Sequence, residues 1–280
     1  MIPVAAGHVM VDGHRLVYDE YGSGDRVVVL LHGLLMRRHM HGPLATNLAE
    51  NGFRVICLDL LGHGDSDRPT DSRCYSMQIF GRHVVAVLDE LGVERALIGG
   101  TSLGANVSLE VATIAPERLC GLFLDMPVLE RAQLFWSFVV GPAIVLHTAG
   151  APLLRAAGRL ARLVPRSNYL ADIVLDWVRQ DPGPSMQVLL GLIFGRTAPP
   201  AHERRAIATR ALVLAHRGEP GHLMSDAETL IGELPDARLV PARNAFELRV
   251  RPHRLTREII AFAGDCWPGN VSSGGRAGTG

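Results

Sequence analysis

Gly100-Thr101-Ser102-Leu103-Gly104 is the stretch whose reading decides the fold. It spells G-x-S-x-G directly after the apolar run Ala96-Leu97-Ile98 and directly before a helix-period segment, residues 105–115. A serine on a sharp turn from strand into helix is held in a strained backbone conformation that keeps its hydroxyl clear of the surface. The flanking Gly100 and Gly104 leave room for that turn, because a side chain there would strike the helix or the neighbouring strand. The five-residue pattern alone recurs by chance. Its place between a strand and a helix marks a nucleophile elbow, with an ordinary strand–helix junction as the plainer alternative.

Outward from the elbow, strand and helix signals alternate. Residues 8–20, broken by Asp12-Gly13, predict a β-hairpin, and residues 26–31 form the continuous apolar run expected of a strand buried on both faces. Helix 43–51, strand 54–60, helix 76–91 and strand 119–125 complete this half. From Met126 to Arg210 strand signals vanish, and helix-period patterns occupy 129–140, 152–163, 169–180 and 185–194. Alternation then resumes with strand 211–215, helix 226–233, strand 237–240 and helix 255–263. Serial βα units predict an α/β fold, a mostly parallel central sheet with helices on both faces. The expected domains are a core of residues 1–126 and 211–267, a helical lid inserted at 127–210, and a disordered Gly/Ser-rich tail at 268–280.

A length of 280 residues suits one such domain carrying an insertion. Lysine plus arginine equals aspartate plus glutamate, 28 each, so no global field favours nucleic acid or an anionic membrane. Neither is expected as a partner. The four cysteines form no C-x-x-C pair, and the N-terminus shows no basic start followed by a long apolar core. Both point to a reduced, cytoplasmic protein. The most apolar window, residues 138–154, is interrupted by Pro142, His147, Pro152 and two glycines, which predicts a buried or cleft-lining helix pair and no membrane span. The twelve histidines are scattered without H-x-x-x-H spacing, and no glycine-rich phosphate loop follows a strand. Neither a metal nor a cofactor is expected, and nothing in the pattern fixes an oligomeric state.

With these motifs in order, the chain resembles the α/β-hydrolase superfamily over nearly its whole length. His32-Gly33-Leu34-Leu35 looks like the family's oxyanion loop, Asp59-Leu60-Leu61-Gly62-His63-Gly64-Asp65-Ser66 is similar to its D-x-x-G-x-G-x-S turn, and residues 100–104 match the elbow. The resemblance implies Ser102 as nucleophile and an oxyanion hole from the backbone N–H groups of Leu34 and Leu103. His32 and His63 are then expected to shape their loops rather than to react. The acid of the family lies after the seventh strand, where Glu219-Pro220 resembles its acid–proline pair; Asp125, ending the sixth strand, is the alternative.

The chain departs from the family at the base. The loop before the last helix, residues 241–252, contains no histidine, and the family's position falls near Ala245. A serine hydroxyl is a poor nucleophile until a neighbour accepts its proton. His222, three residues after Glu219, and His253, just past Pro252, are the candidates, each with a solvated surface histidine as the alternative. Glu247 falls in the same loop, with surface pairing to Arg249 or Arg251 as its plainer role. His222 is the expected base and His253 the alternate, and of three functions the first is the expected one, with the other two as alternatives. The first is a serine hydrolase acting on an ester, thioester or lactone of a small apolar substrate. The others are a lyase, isomerase or cyclase using the pocket without an acyl-enzyme, and a non-catalytic binder of a small apolar ligand. The apolar stripe Phe135, Trp136, Phe138, Val139, Val140, Ile144, Val145 and Leu146 either lines that pocket or packs the lid onto the sheet.

Overall fold

Asp12 and Gly13 both adopt positive φ, 51° and 78°, the backbone that a two-residue hairpin turn requires. They join β1 (Ala5–Val11) to β2 (His14–Tyr21) in antiparallel register. A computed structural model of the protein describes residues 5–165, 169–218 and 221–267, the side chains of residues 133, 134 and 137 excepted. The expected tail at 268–280 lies outside the described residues, as do Glu219 and Pro220.

The apolar runs become β3 (Val27–Leu31), β4 (Arg54–Leu58), β5 (Ala96–Thr101), β6 (Leu119–Asp125), β7 (Ala211–Ala215) and β8 (Ala237–Pro241). The eight strands form one sheet in the order β1-β2-β4-β3-β5-β6-β7-β8, parallel from β4 through β8. Every residue of β3, β5 and β7 is buried. Continuous apolar runs are what a strand covered on both faces needs, and two buried clusters, one on each side of the sheet, provide the cover. On one side, α2 (Met77–Glu90) and α3 (Leu103–Ile114) pack through Phe80, Val84, Val107 and Leu109. On the other, α1 (Gly42–Glu50) and the last helix pack through Leu44, Leu48, Ile259 and Phe262.

Between β6 and β7 the described chain is helical: α4 (Glu130–Ala149), α5 (Ala151–Leu163), α6 (Tyr169–Arg179), α7 (Pro182–Ile193) and α8 (Ala201–Arg204). After β7 come α9 (Met224–Glu233), a short α10 (Glu247–Val250) and α11 (His253–Asp265). The root of this insertion is pinned by polar side chains of the core. Asn106 on α3 bonds the backbone of Val128 at one end and of Thr197 at the other. Asp226 on α9 accepts from the N–H groups of Leu129 and Ala132 at the start of α4.

Two expectations need correction. The helix expected at 129–140 runs on to Ala149 and takes the exposed Pro142 into its interior, at the cost of one backbone hydrogen bond and a crowded carbonyl a turn earlier. The apolar window 138–154, expected to be buried or to line a cleft, does so only in part: Val140 borders the cavity beside Ser102, whereas Phe138 and Leu153 are each 72% exposed. Of α5 only Ala151, Gly158 and Ala161 are buried, all of them small, and Leu153, Leu160 and Leu163 point outward.

Candidate active site

The elbow is built by a close approach. Leu31, ending β3, sets its carbonyl oxygen 2.1 Å from where a Cβ on Gly100 or on Gly104 would stand, so only glycine fits on either side of the turn. Ser102 between them adopts φ 54°, ψ −108°, a conformation that L-residues rarely hold. Its N–H donates to the Asp125 carbonyl at 2.8 Å, and its carbonyl accepts from Asn106 N–H at 3.0 Å. Those bonds anchor the strained residue at the C-terminal ends of β5 and β6.

His222 reaches this serine from the loop between β7 and α9. Its Nε2 lies 2.9 Å from Ser102 Oγ, across 120 residues of chain. With the ring proton on Nδ1, Nε2 accepts the hydroxyl proton, the arrangement general-base activation requires. Trp136 on α4 braces the loop. Its indole N–H donates to the Gly221 carbonyl at 2.7 Å, and its ring meets the His222 ring edge-on at 5.7 Å. The sequence offered no local signal for this brace, because a tryptophan in an apolar stripe reads as core.

Leu34 and Leu103 border the same cavity as Ser102. Among the described residues, neither backbone N–H has a hydrogen-bond partner, so both remain able to donate to an incoming oxygen. Leu103 N–H opens α3, where the helix dipole adds positive potential. His32 holds the loop of residues 32–35 from beneath. Its Nδ1–H donates to the Gly33 carbonyl at 2.8 Å, and its Nε2 accepts from Leu60 N–H at 3.0 Å. Burial holds its pKa below the ordinary value, which keeps that neutral tautomer. His63 is likewise buried and bonded to the Leu61 carbonyl, with its pKa well below the ordinary value through burial and the neighbouring His32.

The other candidates are placed elsewhere. His253 is exposed at the start of α11 and borders neither cavity beside Ser102. Asp125 Oδ2 accepts from Thr101 Oγ1 at 2.8 Å and from Arg249 at 3.2 Å. Glu247 is buried and pairs with Arg254 at 2.9 Å, not with Arg249 or Arg251 at the surface, because α10 turns it inward beneath Arg243 N–H. That leaves Arg249 facing the elbow, where it donates to Thr101 Oγ1 at 2.6 Å. Arg249 was not anticipated: three arginines in one exposed-looking loop carry no sign of which one turns inward. Its charge, after burial itself, holds the buried His41 down to about 3.

Ser102 stands between two spaces. One, about 100 Å³, is apolar and bordered by Met77, Val128, Leu189 and Leu192. The other, about 870 Å³, is bordered by Met36, Leu170, Val174, Trp177, Phe246 and Arg249. Trp136 and Leu34 border both. Among the described residues no group of three or more His, Cys, Asp or Glu side chains is arranged to hold a metal ion.

Known proteins share this architecture. Residues 26–170, just over half of the chain, match the family described as alpha/beta hydrolase fold. A 2-hydroxymuconate semialdehyde hydrolase of a Pseudomonas species is 36% identical over 119 residues, 37% of this chain and 42% of that protein. Bifunctional epoxide hydrolase 2 of Mus musculus is 33% identical over 117 residues, 41% of this chain and 21% of that protein. The chain thus matches less than half the length of these relatives. Among solved structures, a hydrolase from Pseudomonas aeruginosa superposes with a TM-score of 0.76 at 22% identity, over 93% of this chain and 99% of that one. An enol-lactonase from Burkholderia xenovorans does so at 0.74 and 22%, over 92% and 100%. At such identities these two speak to the fold.

Proposed function

This chain belongs to the α/β-hydrolase fold family, and we propose that it is a serine hydrolase whose base comes from the loop after β7. The single observation that carries this is the 2.9 Å contact between His222 Nε2 and Ser102 Oγ at a strained elbow. His222 takes the hydroxyl proton as Oγ attacks a carbonyl carbon. The carbonyl oxygen, becoming an oxyanion, is received by the N–H groups of Leu34 and Leu103; each such donor is worth about 3 kcal/mol of barrier. His222 then returns its proton to the departing alcohol or thiol. Water, deprotonated by His222, releases the acid and restores Ser102. Glu219, three residues before His222, is assigned to orient the imidazole. Asp125, engaged by Thr101 and Arg249, is assigned to hold the elbow and the α10 loop together.

The substrate class is an ester, thioester or lactone. The chamber of about 100 Å³ suits a short apolar group on one side of the scissile carbonyl, and the larger cavity takes the remainder. Residues 127–210 act as a lid over this space. The contact between His222 and Ser102 favours this reading over the non-hydrolytic and binding-only alternatives, which were motivated by a serine without a base.

The test is intact-mass analysis after treatment with a fluorophosphonate. Wild type gains one adduct, Ser102→Ala gains none, and His222→Ala reacts slowly. Folded wild-type protein that never labels would refute an activated serine.

A further inference from the structure

We propose that the outer face of α4 and α5 docks onto an anionic lipid bilayer. Twelve of the sixteen exposed large hydrophobic side chains among the described residues lie between Phe138 and Phe194. On α5 they form a stripe. Ala151, Gly158 and Ala161 turn inward, while Leu153, Leu160 and Leu163, 72%, 67% and 78% exposed, share the outward face at helical spacing. Arg155, Arg159 and Arg162 run alongside that stripe. Phe138 and Val145 on α4 are 72% and 62% exposed and extend the apolar surface.

Charge decides what covers this face. From Arg131 to Ala171 the sequence holds five arginines and no acidic residue. The chain's zero net charge therefore hides a strongly basic segment, and the expectation of no membrane partner, drawn from the total, does not apply locally. Arg155 and Arg159 have no ion pair among the described residues. An apolar stripe flanked by arginines matches a lipid interface, where leucines enter the acyl boundary and guanidinium groups meet phosphates. A second copy of the chain would instead oppose one basic face with another. The helices Phe138–Ala149 and Ala151–Leu163 are together apolar and long enough for a span but meet at 88°, and no single helix among the described residues is long and apolar enough to cross a bilayer. This suits two helices entering one leaflet better than a straight crossing. The same insertion supplies Leu170, Val174 and Trp177, exposed side chains that border the cavity holding Ser102.

The experiment is co-sedimentation of the full chain with vesicles of phosphatidylglycerol and phosphatidylcholine in equal parts, and with phosphatidylcholine alone. Wild type should bind the anionic vesicles, weakly at high salt, and leave the neutral ones. Each reversal in Arg155→Glu and Arg159→Glu should weaken binding by at least roughly fivefold, the effect of one surface cation on an anionic membrane. Leu153→Ser with Leu163→Ser should abolish binding while leaving the thermal midpoint unchanged, since both side chains are already exposed. Ser102→Ala should bind as wild type does, which separates this inference from the proposed chemistry. Failure to bind anionic vesicles would overturn it. So would a dimer in solution that Leu153→Ser dissociates, since the face would then serve self-association.

Discussion

At the elbow, one added methyl group on Gly104 would meet the Leu31 carbonyl at 2.1 Å; on α5, whole leucine side chains reach into solvent. The first region is specified atom by atom from within the chain. The second has a specified root, pinned by Asn106 and Asp226, and an outer surface of exposed leucines. His222 joins the two regions, touching Ser102 on one side and the Trp136 ring on the other. The contrast teaches that the strained serine is held by the over-determined half, while the insertion reaches it only through Trp136, which bonds Gly221 and packs against His222.

The sharpest way to break that division is at the base. His222→Ala should lower turnover of a short-chain ester by about 10⁴- to 10⁶-fold, the range seen when a triad base is removed. His253→Ala, exposed and remote, should leave the rate unchanged. Equal losses would move the base away from the β7–α9 loop.

Next in size is steric tolerance. Gly104→Ala should cost about 3 kcal/mol, since backbone lies on the other side of the clash. Gly232→Ala, which meets nothing within 4 Å inside α9, should stabilise by about 0.5–1 kcal/mol. Urea unfolding of both variants reads the difference, and a mild Gly104→Ala would show that the elbow can yield.

Acid should also act on the elbow half. His41 lies buried with Nε2 on the Leu31 carbonyl, the same oxygen that crowds Gly100 and Gly104. Burial and Arg249 lower its pKa from the ordinary 6.5 to about 3. Below 6.5 the unfolded chain takes up a proton that the folded site refuses, so stability present at neutral pH is lost as pH falls toward 3. From pH 7 to pH 5 the loss from this histidine is roughly 2 kcal/mol. Buried His32 and His63, also shifted downward, act in the same direction. Urea midpoints that do not fall between these pH values would contradict a neutral, buried His41.

The smallest effect tests the brace. Trp136→Phe keeps an aromatic ring but removes the hydrogen bond to Gly221, and should lower kcat about tenfold with little change in KM or thermal midpoint. A change in KM alone would make Trp136 a pocket wall and no more.

Much of this was legible in residues 26–125, where apolar runs alternate with helix-period segments and glycines mark the turns. The all-helical stretch between the sixth and seventh strands was legible for the same reason. What failed was any judgement about which side of an element faces what. The stripe from Phe138 to Leu146 has the composition of core, yet Phe138, Val139, Val145 and Leu146 are exposed. Glu247 and Arg249 stand two apart on one loop, and only the turn of α10 sends one beneath Arg254 and the other to Thr101. Zero net charge holds for the whole chain and conceals Arg155, Arg159 and Arg162, which α5 carries with no acidic residue among them.

By itself, then, the sequence determined what is local: strand and helix periods, the G-x-S-x-G turn, and the glycines that a close carbonyl demands. Each depends on neighbours a few residues apart, so spacing alone reveals it. The pairing of His222 with Ser102 spans 120 residues, and the inward swing of Arg249 toward Thr101 spans 148. The strand order inferred from the sequence made His222 a candidate without fixing its contact, and Arg249 had no signature at all, because a side chain's partner over such separations is set by which loop ends share a sheet edge and which way each side chain turns. Tertiary structure alone decided those.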